Sequence, residues 1–138
     1  MMRLATERDI PYILEGMLQL KQQTGWAAYV QPGYNATSLT TYLYDRLYDP
    51  QSVCVVWQPL DGIPSAFCGG SLSTFHLPPH MPLVFEWGWF GRPRHAAQCW
   101  HHVKQWGKKH GATLAFYSRS TPGRRANRVQ EHQTWSVL

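Results

Sequence analysis

Apolar residues recur at three- and four-residue steps in three stretches of the chain, at positions 10–18, 39–47 and 96–106. This spacing places the apolar side chains on one face of a helix, so each stretch predicts an amphipathic helix. Thr6 is a good N-cap for the first helix, which we expect to reach about Gln23. The second is expected to begin near Asn35 and to end before Pro50, and the third to end at Gly111.

Shorter runs that are rich in β-branched and aromatic residues predict strands. They are residues 2–5, 52–57, 65–76, 83–90, 112–118 and 135–138. Gly69 and Gly70 indicate a bulge or a close backbone approach. Residues 124–132 predict a further short helix, and residues 24–34 predict a loop rich in aromatic side chains. The order strand-helix-helix-strand-strand-strand-helix-strand-helix-strand shows no domain boundary, so we expect one α/β domain over residues 1–138.

The composition, 43% apolar and 15% charged residues, is typical of a globular domain. No apolar run approaches the roughly 18–20 residues that cross a bilayer, and the first residues lack the apolar core of a secretory signal. Cys54, Cys68 and Cys99 have neither disulfide nor metal spacing, which predicts reduced, buried thiols and a cytoplasmic location. The seven histidines also follow no ligand spacing, so we expect no metal site.

Positive charge is concentrated in the second half of the chain. Residues 70–138 contain nine Lys or Arg against two acids, Glu86 and Glu131, whereas acids are in excess in residues 1–69. This asymmetry predicts an anionic partner for the second half, which would be a phosphate-bearing cofactor, a nucleic acid or an acidic protein. A merely solubilising surface is the alternative. No known nucleic-acid-binding motif appears, so nucleic acid is not the expected partner.

The basic turn at residues 91–97 is the candidate anion site. It lies between an aromatic strand and a helix, and the first turn of a helix has unpaired N–H groups and the positive end of the dipole. Arg92 and Arg94 supply cations, Ala96 and Ala97 let the backbone approach a ligand, and Pro93 suits a first helical position. The alternative is an ordinary basic loop that caps a helix.

Three motifs resemble the GNAT acyltransferase superfamily, and the predicted element order does so over nearly the whole chain. Arg3-Leu-Ala-Thr-x-x-Asp9-Ile10 resembles the family opening. Arg92-x-x-His95-x-Ala97 resembles the family's Gln/Arg-x-x-Gly-x-Gly/Ala turn, and Ala126 with Gln130-x-His132-x-Thr134-Trp135 resembles its C-terminal motif. The likeness extends more loosely to short GNAT-like proteins of tailed phages. It implies a mixed, mostly antiparallel sheet splayed between its central strands, three to four helices and a shortened C-terminus.

The resemblance further implies that acetyl-CoA or coenzyme A binds to the chain. Its pyrophosphate would lie on the turn, and the cofactor-binding residues would be Phe90, Arg92, Arg94, His95, Ala96, Ala97 and Arg125. Arg125 belongs to a group with Arg119, Arg124 and Arg128 that would reach the ribose phosphate or else form a solvated surface. The acceptor site would be built by Trp26, Tyr29 and Tyr34, in a region that is equally suited to a partner surface.

Two residues are the catalytic candidates that this resemblance implies. Glu86 would be the general base that deprotonates the acceptor amine, because apolar neighbours would raise its pKa toward neutrality. Tyr117 would be the general acid, since Gln130 stands where many members have the Tyr that protonates the departing thiolate. The alternatives are a solvent-facing or Arg-paired Glu86 and a core or edge Tyr117. Gly88 would turn an N–H toward the acyl carbonyl, or would be a packing glycine.

Two functions therefore follow from the sequence. The first is an acyl-CoA-dependent N-acyltransferase that acts on an amine, with acetyl-CoA as donor. The second is a GNAT-like acyl-CoA-binding protein with weak or no catalysis that binds and modulates another protein, a host protein if the chain is phage-encoded. The edge of the last strand also permits a homodimer.

Overall fold

The computed structural model describes the backbone of residues 1–23, 35–60, 62–74, 80–122 and 129–138, and the side chains of these residues apart from 21–23, 118–122 and 129–135. The helices α1 to α3 are Ile10–Gln23, Ala36–Tyr48 and Pro93–Lys109, and a 3₁₀ turn at Glu7–Asp9 precedes α1. The strands β1 to β6 are Met2–Leu4, Ser52–Trp57, Ala66–Thr74, Pro82–Gly91, Leu114–Pro122 and Val129–Val137.

Within these ranges the strands form one sheet in chain order, β1 to β6. Neighbouring strands are antiparallel except β4 and β5, which run parallel because α3 connects them. The register of β3 against β4 shifts between Gly69 and Gly70. Gly69 pairs with Gly88 and Gly70 with Glu86, so Trp87 is the extra residue of a β-bulge. The bulge predicted at Gly69 and Gly70 is therefore confirmed.

The sheet separates two apolar clusters. On one face α1 and α2 pack against β2 and β3 residues that include Cys54, Val56 and Phe67. On the other face α3 packs against a set that includes Val55 and Cys68. The two sets alternate along β2 and β3, because successive side chains of a strand point to opposite faces. Cys54, Cys68 and Cys99 are free and buried within these clusters, as the sequence predicted.

An ion pair between the half-buried Arg3 and the buried Asp9 fixes the N-terminal strand to the start of α1. The guanidinium of Arg3 donates to both carboxylate oxygens of Asp9, at 2.8 and 2.9 Å, and the backbone N–H of Thr6 donates to the same carboxylate at 2.8 Å. Burial opposes ionisation of Asp9, but the hydrogen bonds from Arg3 and Thr6 outweigh it and lower the pKa of Asp9. The predicted helix start at Thr6 thus takes the form of a 3₁₀ turn that leads into α1.

The short helix predicted at residues 124–132 is wrong for residues 129–132, which belong to β6. This strand pairs with β5 from Val137 opposite Leu114 to Val129 opposite Pro122. The long ladder pairs backbone groups that an isolated helical turn would leave without partners. Residues 124–128 and the loop predicted at 24–34 lie outside the described residues.

Candidate functional site

The sheet opens between β4 and β5. The two strands pair only at Leu83 with Leu114, Val84 with Ala115, and Phe85 with Phe116. Beyond the last pair the strands continue to residues 91 and 122 without further pairing to each other. We call the point just beyond Phe85 and Phe116 the fork. It is the splay between central strands that the sequence predicted.

Glu86 and Tyr117 are the first residues of the two strands beyond the fork, and both project toward α3. Glu86 pairs with Gly70, where an added Cβ would lie 2.5 Å from a methyl group of Val103 in α3. Tyr117 packs against the apolar cluster under α3. Because residues at the same level of parallel strands share a face, the topology places the two catalytic candidates on one face of the sheet, each one residue beyond the last pair.

Two tryptophans hold the ring of Tyr117. The ring centroid of Tyr117 lies 5.0 Å from that of Trp100 and 6.0 Å from that of Trp89, the latter edge to face. Trp89 is itself anchored, because its indole Nε1–H donates to the carbonyl oxygen of Ala96 at 2.8 Å. Trp89 and Trp100 were not predicted as part of the site, although the helical spacing of residues 96–106 did place Trp100 on the buried side of α3.

The charge of Glu86 acts on a buried thiol in the same layer. Burial raises the pKa of Cys68 well above its usual range, and the nearby carboxylate of Glu86 raises it further. Burial likewise raises the pKa of Cys99 to about 11. Both thiols are therefore protonated at neutral pH.

The basic turn leaves two backbone donors for an anion. The N–H of Arg92 donates to the carbonyl oxygen of Ser65 at 3.0 Å, and Pro93, the first residue of α3, has no N–H. Ala96 N–H donates to Arg92 O at 2.8 Å, within the helix. The N–H groups of Arg94 and His95 have no partner among the described residues. The exposed side chains of Arg92 and Arg94 lie on the same turn, so it combines two cations with two N–H donors, the groups that a phosphate site requires.

The side chain of His95 is directed away from the fork. Its Nδ1 lies 2.7 Å from the hydroxyl of Ser65, and its ring stacks on Trp57 with centroids 4.7 Å apart and planes 17° apart. Ser65 precedes β3 and Trp57 ends β2, whereas the fork lies beyond β4. His95 can therefore contribute to an anion site through its backbone N–H, while its side chain packs on the sheet.

The remaining predicted cofactor residues differ in exposure. Ala97 is exposed on the first turn of α3, and Ala96 is buried beneath it. Phe90 lies on the opposite face of the sheet, where its ring contacts Phe67 at a centroid distance of 6.4 Å. Its side chain thus belongs to the core under α1 and α2. Arg125 and the acceptor candidates Trp26, Tyr29 and Tyr34 lie outside the described residues.

Among the residues that the structure describes, no group of three or more His, Cys, Asp or Glu side chains is placed to hold a metal ion. In the same residues, no helix is both long enough and apolar enough to cross a membrane.

Comparison with known proteins identifies the fold. No protein-family model matches the chain, and no curated protein matches its sequence. Three solved structures resemble it in fold. A ribosomal-protein-alanine N-acetyltransferase from Brucella melitensis has a TM-score of 0.69 at 11% identity, over 100% of this chain and 99% of that one. A predicted acetyltransferase with acetyl-CoA from Clostridium acetobutylicum has a TM-score of 0.67 at 15% identity, over 90% and 83%.

The third structure is AAC(6')-Iy in complex with the bisubstrate analogue CoA-S-monomethyl-acetylneamine. Its TM-score is 0.65 at 18% identity, over 90% of this chain and 81% of that one. Likeness at these identities concerns the fold, and the shared architecture is that of acetyltransferases. The chain therefore has the GNAT fold that its sequence predicted.

Proposed function

We propose that this chain is an acyl-CoA-dependent N-acyltransferase that transfers an acetyl group to an amine. The observation that supports the proposal is that Glu86 and Tyr117 each follow the last paired residue of their strand and lie on the side of the sheet that α3 covers, one able to accept a proton and the other able to donate one. The fold supports it, because solved structures with this fold are named as acetyltransferases and two contain acetyl-CoA or a coenzyme A analogue.

The two side chains would divide the proton transfers of the reaction. Glu86 would accept a proton from the amine as its nitrogen attacks the thioester carbonyl. The C–N bond forms, the C–S bond breaks, and Tyr117 would donate its hydroxyl proton to the departing sulfur. General acid–base catalysis of this kind contributes about 10²- to 10⁴-fold to a rate. The Gly88 N–H, next to the bulge, is the proposed donor to the carbonyl oxygen.

The basic turn would hold the diphosphate of the donor. We assign this role to the side chains of Arg92 and Arg94 and to the N–H groups of Arg94 and His95. The exposed Ala97 leaves the first turn of α3 open to a ligand. Arg125 for the ribose phosphate, and Trp26, Tyr29 and Tyr34 for the amine, stay predictions from the sequence.

The second candidate is a GNAT-like protein that binds acyl-CoA but has weak or no catalysis and modulates another protein. It is favoured by the small number of donors in the turn, where Arg92 N–H and the His95 side chain already have protein partners. A phage origin, a host partner, a homodimer and a cytoplasmic location rest on the sequence alone.

Calorimetry with acetyl-CoA and with coenzyme A, followed by a transfer assay, tests both candidates. Transfer to a panel of primary amines and lysine-containing peptides is followed through the released thiol of coenzyme A. We expect binding and transfer. Binding without transfer to any amine would favour the second candidate, and absence of binding would contradict both.

A further inference from the structure

The outward face of α3 is a continuous polar surface without acidic residues. It comprises Arg94, Ala97, Gln98, His101, His102, Lys104, Gln105, Lys108 and Lys109, which are exposed except for the half-buried Lys104. Each member has another member three or four residues away, so they share one side of the helix. The residues that face the sheet, such as Cys99 and Val103, are buried. We call the outward stretch from Gln98 to Lys109 the α3 face.

The positive charges of this face are uncompensated in the described part of the chain. Lys104, Lys108 and Lys109 form no ion pair there, and no acid occurs within α3. Lys104 Nζ lies 5.9 Å from the centroid of the Trp100 ring, a cation–π contact that leaves its net charge in place. Lys104 and Lys108 are four residues apart, a spacing at which like charges repel each other and destabilise a helix. An anionic partner would remove this repulsion.

We propose that the α3 face binds the backbone of duplex DNA. Lys104, Lys108 and Lys109 would contact phosphates, and the amide groups of Gln98 and Gln105, on the same side of the helix, would meet the groove edge. The composition of the α3 face suits duplex DNA, because protein–DNA interfaces are polar and strongly positive, and glutamine amides pair with adenine in the major groove.

The composition of the face also decides against other partners. Protein–protein interfaces depend on buried aromatic and apolar anchors, whereas none of the exposed residues of the α3 face is apolar. Single-stranded nucleic acid is bound by stacking on exposed aromatic rings. Trp100 faces the core with 5% of its surface exposed, and the half-buried ring of Trp106 already packs against the ring of His110, with centroids 4.6 Å apart.

The shape of the helix fits a B-form duplex better than duplex RNA. A helix with its side chains is about 10–12 Å across, which matches the major groove of B-DNA, about 12 Å wide. The major groove of A-form RNA is too narrow for side chains to read. Among the described helices, α3 packs on one face of the sheet, and α1 and α2 pack on the opposite face.

Fluorescence anisotropy of the full chain with a labelled duplex DNA of mixed sequence tests this proposal. We expect a Kd of about 10⁻⁴–10⁻⁶ M at physiological salt, and a log–log dependence on salt with a slope of about −0.9 per contacted phosphate. The triple variant K104Q/K108Q/K109Q should reduce that slope by about 2.7. The single variants Lys108→Gln and Arg8→Gln are the matched pair, because Arg8 is an exposed cation ahead of α1; only the first should weaken binding.

Circular dichroism melting establishes that each variant is folded. The proposal is overturned if the duplex does not bind at low salt, or if binding is indifferent to salt or to the triple variant. It is also overturned if single-stranded DNA, duplex RNA or an acidic peptide competes better than the duplex. Arg92 and Arg94 are unchanged in these variants, so acetyl-CoA binding and duplex binding can fail independently.

Discussion

The indole Nε1–H of Trp89 donates a 2.8 Å hydrogen bond to the carbonyl oxygen of Ala96. Trp89 is near the end of β4 and Ala96 is in the first turn of α3, so this bond spans the basic turn. It fixes the helix N-terminus, with its two unpartnered N–H groups, relative to the fork, where Trp89 also contacts Tyr117. The candidate anion site and the candidate catalytic pair are thus joined through one side chain.

Replacing Trp89 with Phe should loosen this connection. The ring remains apolar, but the hydrogen bond is lost, at a cost of about 1 kcal/mol in the free energy of unfolding. We expect faster amide hydrogen exchange at residues 96–97, with the amides of the last turn of α3 as an internal control. If the variant exchanges the amides of residues 96–97 at the wild-type rate and keeps the wild-type urea midpoint, the bond does not hold the turn.

Gly91 allows the turn to form, and its replacement should be costly. Its φ is +127°, and an added Cβ would lie 2.3 Å from the carbonyl oxygen of Ser65. Gly111 is the matched control, because its φ is +93° but a Cβ there would meet nothing within 4 Å. Gly111→Ala should cost about 1 kcal/mol for backbone strain alone. Gly91→Ala should cost about 1–3 kcal/mol more, because the backbone at Ser65 and Ala66 must also move to make room for the new Cβ. If urea denaturation gives the two variants equal losses in the free energy of unfolding, the clash is contradicted.

Much of this arrangement could be predicted from the sequence, and the bulge explains what could not. Helical spacing gave the buried side of α3, and the basic turn was found from its composition. Strict alternation along β4, however, would place the side chain of Trp89 on the opposite face of the sheet from those of Val84 and Glu86. The extra residue Trp87 shifts that phase, so that Trp89 joins the α3 side and Phe90 the α1 side. Contacts between distant segments, such as that of His95 with Trp57, carry no local signal.

Replacing Asp9 with Asn should destabilise the protein in a pH-dependent way. The folded pKa of Asp9 is lowered below its unfolded value of about 3.9. Its contribution is therefore complete above that pH and is lost as the pH falls through the folded pKa. We expect Asp9→Asn to cost about 2–3 kcal/mol at pH 7, with the difference from wild type shrinking in acid.

The control for this prediction is Asp45→Asn. Asp45 is exposed, and a surface substitution of this kind should change the free energy of unfolding by no more than about 0.5 kcal/mol. Chemical denaturation at neutral and acidic pH measures both variants. A constant difference between Asp9→Asn and wild type across pH would refute the assigned role of the Arg3 ion pair.

Removing the two cations of the basic turn should weaken coenzyme A binding. The variant R92Q/R94Q loses up to two charged hydrogen bonds to phosphate, each worth about 1.5–3 kcal/mol. K108Q/K109Q removes the same charge from the other end of α3 and should leave the affinity unchanged apart from a small long-range effect that salt screens. Calorimetry with acetyl-CoA compares them, and equal losses in the two variants would move the anion site away from the turn.

Replacing Tyr117 with Phe separates its chemistry from its packing. The ring that contacts Trp89 and Trp100 is retained, so the melting temperature should stay the same, while the hydroxyl proton is lost. We expect kcat to fall by about 10²- to 10⁴-fold with acetyl-CoA affinity intact, and Glu86→Gln to do the same. Tyr44→Phe, on the exposed side of α2, is the control that should keep full activity. If Tyr117→Phe melts as wild type and also retains its kcat, the hydroxyl is not the acid, and the thiolate must take its proton from solvent.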